Sequence, residues 1–115
     1  MTIALRIVEP FPDRELREPG MMWRYPDGDI DGEECWWIIL PAHPEIGTPG
    51  HPGELSWRTT QVAGDGNRWT VTGTAPLLTV TPSIDVVRFV RGADGAHVRD
   101  GSYWHGFITD GQLVG

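Results

Sequence analysis

Apolar and polar residues nearly alternate in the last third of the chain, a pattern typical of half-buried β-strands. Tyr103–Thr109 and Gln112–Val114 are two such runs, and Asp110-Gly111 between them is typical of a tight β-hairpin turn. Similar runs bounded by turn residues predict further strands over residues 2–9, 21–25, 35–40, 55–62, 68–74, 77–81 and 85–91. The pattern therefore predicts eight or nine short strands.

Composition and length agree with this pattern. The 115 residues include 15 Gly and 10 Pro, which favour many short elements joined by turns over a few long helices. The length is that of one domain. We therefore predict an all-β fold in a single domain, residues 1–115, as a small β-sandwich or partly open β-barrel of about eight short strands with little helix.

Two connections between the strands have distinctive sequences. Residues 41–53 contain four Pro and three Gly, which oppose regular structure, so we expect a long Pro/Gly-rich loop inserted within the domain. Residues 63–67 read as the turn of a second hairpin, which would pair residues 55–62 with 68–74.

The charge balance bears on partners and on location. The chain has 16 acidic and 9 basic side chains and a net charge of −7, and its basic residues are scattered. Nucleic acid is therefore an unlikely partner, because phosphate contacts need cationic or N–H donors. No stretch approaches the roughly 20 apolar residues that cross a bilayer, and the first residues lack the apolar core of a signal peptide. We expect a cytoplasmic protein with no membrane partner.

Cysteine and tryptophan usage suggests where the core and the binding surface lie. The single cysteine, Cys35, excludes an intramolecular disulfide, and we expect it to be buried as a small apolar residue. Six tryptophans are many for this length, and they suit both a core and a protein interface. Neighbouring strand residues point to opposite faces, so Trp36 and Trp37 cannot both face one core. Trp36, Trp37 and Trp104 are the candidate binding tryptophans.

The histidines are the candidate metal ligands. His43, His51 and Glu45 lie in the Pro/Gly-rich segment and Glu54 follows it directly; together with His105 the two histidines could hold zinc if the segment folded back. Their spacing matches no compact metal motif. We therefore expect that the protein has no cofactor, with bound zinc as the alternative.

A second role is open for His105, because Asp85, Tyr103 and Asp110 are possible neighbours. A carboxylate beside the ring would suit a general base. A hydrogen bond at a strand end is the simpler interpretation, since no nucleophile or oxyanion motif accompanies the histidine. Asp85 and His105 are therefore assigned to binding, and no residue is assigned to catalysis.

The acidic segment 27–34 places four carboxylates at alternate positions, Asp27, Asp29, Asp31 and Glu33, with Gly28 and Gly32 between them. This order is superficially similar to the start of a calcium-binding loop. A calcium loop also needs a bidentate glutamate at its twelfth position and flanking helices. We interpret the segment as a solvated turn.

Three segments in order, Arg68–Gly73, Leu78–Ile84 and Trp104–Leu113, resemble the DUF6527 family of small bacterial and actinobacteriophage proteins. The resemblance covers residues 68–114 and implies a related fold and a phage origin. Many relatives carry a cysteine-rich segment and a cysteine beside the histidine, which suggests a zinc site in them. This chain has Trp104 in that place and no cysteine cluster, so the resemblance implies that His105 is the remnant of a lost site.

The acidic charge, the tryptophans and the lack of a catalytic motif favour a non-enzymatic phage accessory protein that binds a host or phage protein. Antagonism of a host factor with a basic surface is one form of this hypothesis. The alternatives are a zinc-binding regulator or metal-dependent hydrolase, and a virion-associated or carbohydrate-binding β module, which would need exposed and coplanar aromatic rings.

Overall fold

The computed structural model describes every residue from Met1 to Gly115 and contains nine strands in two sheets. In chain order the strands are β1 (Thr2–Ala4), β2 (Arg6–Ile7), β3 (Met21–Arg24), β4 (Trp36–Thr48), β5 (His51–Arg58), β6 (Thr70–Thr72), β7 (Thr79–Arg91), β8 (His97–Thr109) and β9 (Gln112–Val114). One turn of 3-10 helix, Arg14–Leu16, is the remaining element. The all-β prediction is confirmed.

The two sheets pack face to face. One has the strand order β1-β9-β8-β7-β6 and the other the order β2-β3-β4-β5. The N-terminal run joins both, because β1 pairs with β9 and β2 pairs with β3. Leu5 lies at the crossing, where its side chain is buried and its N–H donates to the Gly111 carbonyl over 2.8 Å. The single strand expected over residues 2–9 is therefore divided between two sheets.

The core between the sheets is one apolar cluster. Its residues come from both sheets: Leu5, Met22, Trp36, Ile38, Leu40, Leu55, Trp57, Leu78, Val80, Ile84, Trp104, Ile108 and Leu113. Burial of each large apolar side chain contributes about 1.5–3 kcal/mol, so this cluster is the main source of stability.

The predicted central strand buries both of its faces, as the sequence indicated. Trp36, Ile38 and Leu40 point into the core, and Ile39 is buried on the opposite side. Cys35, just before the strand, is buried with its Sγ atom 3.3 Å from the Thr60 hydroxyl oxygen. The expected burial of Cys35 is confirmed.

The prediction of a loop over residues 41–53 is wrong. This segment is the distal part of the β4–β5 hairpin, with Thr48 opposite His51 and a positive φ of 81° at Gly50 in the turn. Proline is tolerated here because β3 pairs only with Trp36–Ile38 of β4, so no ladder bond is lost on that side. Register shifts around His43 accommodate the irregular positions.

The predicted hairpin between residues 55–62 and 68–74 does not form. Residues 63–67 do turn, with a 2.9 Å bond from the Gly66 N–H to the Ala63 carbonyl. Pairing across this turn is limited to one bridge, Val62 with Arg68, because β5 and β6 belong to different sheets. The turn is thus a crossing between sheets.

The strands β7 and β8 are longer than predicted. Residues 77–81 and 85–91 join into one strand through an irregularity between Val80 and Ile84, and β8 begins at His97 instead of Tyr103. The two strands form a ribbon that extends beyond the core, and Phe89 near its end is 55% exposed. The structure has no helix with the length and apolar character of a membrane span.

Ile108→Ala tests the core. Ile108 is fully buried in the cluster, and this truncation should cost about 2–5 kcal/mol in urea unfolding. Ile7→Ala removes the same atoms from a side chain that is 40% exposed and should cost at most about 1 kcal/mol. Equal losses in the two variants would contradict the placement of the core.

Gly111→Ala tests the C-terminal turn, where Asp110 and Gly111 both have positive φ, 47° and 78°, as a type I′ turn requires. An added Cβ would lie 2.8 Å from the Pro76 carbonyl oxygen. At Gly95 the φ of 85° is similar and the space is open. We expect Gly95→Ala to cost about 1–2 kcal/mol and Gly111→Ala at least about 1 kcal/mol more, measured by thermal unfolding.

Candidate functional site

The outer face of the four-stranded sheet carries a row of large side chains. In the register of this sheet Trp23 lies opposite Trp37, and Trp37 lies opposite Arg58. Side chains directly opposite on neighbouring strands share one face and contact each other. The row therefore crosses β3, β4 and β5 on the side away from the core.

Tyr25, which follows β3, completes a compact group with Trp37 and Arg58 that we call the aromatic platform. The Tyr25 and Trp37 rings are stacked, with centroids 5.9 Å apart and planes 12° apart. The Arg58 guanidinium carbon lies 5.5 Å from the Tyr25 ring centroid and 6.0 Å from that of Trp37. Arg58 makes no ion pair, so its interactions at this site are cation–π contacts.

A second stack continues the row at its other end. The Phe11 and Trp23 rings are 6.0 Å apart, and the Arg17 guanidinium lies 5.1 Å from the Trp23 ring centroid. Arg17 is held there by an ion pair with Glu54 at 3.3 Å. Phe11 is half exposed, so the apolar surface extends from the platform along the sheet.

An open groove of about 750 Å³ runs beside the platform. The platform residues Tyr25, Trp37 and Arg58 line it, and Asp31, Gln61 and Val62 are among its other lining residues. The groove gives the platform access to a ligand or partner larger than a single side chain.

Residues 27–34, the acidic loop, border this groove. Arg24 pairs with Asp29 at 2.6 Å, and Arg68 pairs with Glu33 at 2.7 Å and with Asp31 at 3.3 Å. Five carboxylates and these two guanidinium groups leave the loop region with three uncompensated negative charges. The carboxylates bind arginines of the chain itself, consistent with the interpretation of a solvated turn.

A second cleft of about 630 Å³ opens where the two sheets separate. Its lining includes the charged residues Glu33, Glu34 and Arg68, together with Trp69 and with Thr70 of β6. Arg68 also lines the groove beside the platform, so the two depressions are neighbours.

The candidate binding tryptophans separate into two environments. Trp36 is 9% exposed, belongs to the core and donates its Nε1–H to the Glu34 carboxylate. Trp104 is also a core residue, with Gly106 and Gly115 packed closely against its ring. Trp37 is half-buried on the outer face. The structure therefore leaves Trp37 as the accessible one of the three.

Asp85 and His105 are opposite each other in the β7–β8 ladder and still make no hydrogen bond to each other. The Nε2 atom of His105 is 3.0 Å from the Ser83 hydroxyl oxygen. Asp85 instead accepts hydrogen bonds from Arg99 and Ser102. His105 thus hydrogen-bonds a hydroxyl group and has no carboxylate to orient its ring.

The candidate metal ligands are not brought together. The His43 ring contacts the Tyr103 ring edge-on at 5.2 Å, and its Nδ1 accepts from the Glu45 N–H at 3.1 Å. His51 lies at the turn of the β4–β5 hairpin, and His105 is in the other sheet. The structure contains no group of three or more His, Cys, Asp and Glu side chains that could hold a metal ion.

Comparison with known proteins gives no relative. No family model matches the chain, and neither a curated protein nor a solved structure matches it.

The sequence named Trp37 as a binding candidate together with Trp36 and Trp104, and it did not indicate Tyr25, Arg58 or Phe11. Strand alternation places Trp36 and Trp37 on opposite faces but does not say which of them faces the core. Tyr25 and Arg58 become part of the site only through the register of three strands, which short-range patterns do not specify.

A double-mutant cycle between Arg58→Met and Trp37→Leu tests the platform. The cation–π contact should appear in urea unfolding as a coupling free energy of about 0.5–1 kcal/mol. Arg14→Met is the control partner, because Arg14 has no ion pair and no aromatic contact, and its coupling to Trp37→Leu should be below about 0.3–0.5 kcal/mol. A coupling for Arg58 no larger than that of Arg14 would refute the contact.

Proposed function

We propose that the protein is a non-enzymatic accessory module that binds another protein through the aromatic platform. The stacking of Arg58 on Tyr25 and Trp37, on an accessible sheet face, is the observation that carries this proposal. Tyr, Trp and Arg are the residue types that dominate the energetic centres of protein interfaces.

The shape of the surface supports a macromolecular partner. Phe11, which is half exposed and stacked on the buried Trp23, extends the apolar face beyond the platform, and an open groove lies beside the platform. Stable interfaces have such an apolar centre surrounded by a polar rim. Here the ion-paired side chains around the platform supply the rim.

The acidic loop favours a partner with a basic surface. Its uncompensated negative charges lie beside the groove, and complementary charge speeds association and excludes wrong partners. A host or phage protein with a basic face fits this chemistry. The resemblance of residues 68–114 to phage proteins is the basis for an accessory role in infection, such as antagonism of a host factor.

Quantitative capture from bacterial lysate tests this proposal with three variants. We expect the wild type to retain a stoichiometric partner, and Trp37→Ala and Arg58→Glu to lose at least about nine-tenths of it, since hot-spot truncations cost about 2 kcal/mol or more. Phe107→Ala removes an exposed aromatic ring from the other sheet and should retain the partner. Thermal unfolding checks that each variant is folded.

Salt dependence supplies the second measurement. Raising the salt concentration from about 0.05 M to about 0.5 M should weaken capture, because exposed charges are screened at high ionic strength. A partner held equally by the wild type and by both platform variants would refute the platform as the binding surface. Absence of any stoichiometric partner would refute the function.

A further inference from the structure

The free edge of β7 is a second interaction surface, remote from the aromatic platform and on the other sheet. β6 pairs with β7 only at Thr79–Thr81, whereas β8 pairs with it along its full length as far as Arg91. Residues 84–91 therefore have backbone groups with no neighbour strand on one side. The Trp69 Nε1–H donates to the Ser83 carbonyl oxygen over 3.1 Å. No side chain hydrogen-bonds the backbone of residues 84–91 from the open side.

This edge is regular. The ladder has irregularities between Val86 and Val87 and between Val87 and Phe89, and in both places the extra residue belongs to β8. β7 itself runs without an inserted residue from Ile84 to Arg91. A bulge on the edge strand would have twisted the edge away from a new partner.

The edge lacks several of the features that protect natural edges against pairing. Natural edges are commonly blocked by charged side chains, by proline, by bulges or by a short length. No proline follows Pro82, and five of the eight residues from Ile84 to Arg91 are apolar, while the other three are charged. Phe89 is 55% exposed and Val90 is 42% exposed.

We propose that the β7 edge pairs with the β7 edge of a second copy, in antiparallel orientation about a twofold axis, to join two five-stranded sheets into one of ten strands. Such an axis places one residue opposite its own copy and pairs residues at equal distances on either side of it. The register then follows from charge, because Asp85 can face Arg91 of the second copy only if the axis passes at Arg88.

This register matches every pair on the outward face. Asp85, Val87, Phe89 and Arg91 share that face, since the intervening Ile84 and Val86 belong to the core side. The twofold axis generates two Val87–Phe89 pairs, one on either side of Arg88. An Asp85–Arg91 ion pair lies at each end of the paired segment. Arg91 has no ion pair within its own chain, and the Asp85 carboxylate, which already accepts from Arg99 and Ser102, would be shared with it.

The positive charges of the two Arg88 side chains at the axis are neutralised by carboxylates of their own chains. In each chain its guanidinium contacts the carboxylates of Glu45 and Asp100, the latter at 3.0 Å. These contacts neutralise the two arginines where they meet. Axes at residues 85–87 place Asp85 opposite its own copy or an apolar residue, and axes beyond Arg88 leave it with no partner in the strand. The Arg88-centred register is therefore the favoured one.

Sedimentation equilibrium from about 1 µM to about 500 µM tests the pairing. We expect the wild type to dimerise and Arg91→Glu to raise the dimer dissociation constant at least about tenfold, because it places like charges opposite at both ends. Arg14→Glu makes the same charge change at a remote unpaired arginine and should leave the constant unchanged. A wild type that is monomeric throughout, or equal effects of the two variants, would overturn the proposal.

Cross-linking tests the register. Under oxidising conditions Arg88→Cys should give a covalent dimer, since Cα atoms directly opposite in antiparallel strands lie within disulfide range. Val90→Cys faces Val86 of the second copy and should stay uncrosslinked, and the native Cys35 is buried. Cross-linking at position 90 in preference to position 88 would overturn this register. Neither outcome bears on the aromatic platform, which lies on the other sheet.

Discussion

Trp36 and Trp37 point to opposite faces of β4, and this alternation determines both the core face and the outer face of the four-stranded sheet. Trp36, Ile38 and Leu40 give the four-stranded sheet its contribution to the common core. The same alternation places Trp37 and Ile39 on the outer face, where other residues must shield these apolar side chains from water. Tyr25 and Arg58 partly cover Trp37, while Ile39 is fully buried. The accessible aromatic face is thus a direct consequence of how the core is built.

The core also determines which parts of the long strands remain outside. It ends near Ile84 and Trp104 on β7 and β8, and both strands continue as a ribbon without an apolar centre. Contacts between charged side chains hold the base of this ribbon, as Arg88 bridges Glu45 of β4 and Asp100 of β8. A two-stranded ribbon alone is marginally stable in water, and pairing at its edge would supply the missing support.

Much of the fold could be predicted from the sequence, because its strongest signals are local. Alternation identified the strands, Asp110-Gly111 identified a turn, and the apolar run after Cys35 identified the central strand. The errors concern long-range pairing. Proline at an unpaired edge is compatible with a strand, so residues 41–53 are a hairpin, and the 63–67 turn connects two sheets. The same local pattern named Trp37 as one of the candidates. The inclusion of Tyr25 and Arg58 in the site depends on the register of β3, β4 and β5.

The orientation of the six tryptophans is the most direct test of this account. Fluorine NMR of protein labelled with fluorotryptophan, with a soluble paramagnetic gadolinium complex added, ranks the indole rings by solvent access. We predict strong attenuation for Trp37 and little for Trp36, Trp57 and Trp104. Attenuation of Trp36 with protection of Trp37 would reverse the two faces of β4 and contradict both the core and the binding face.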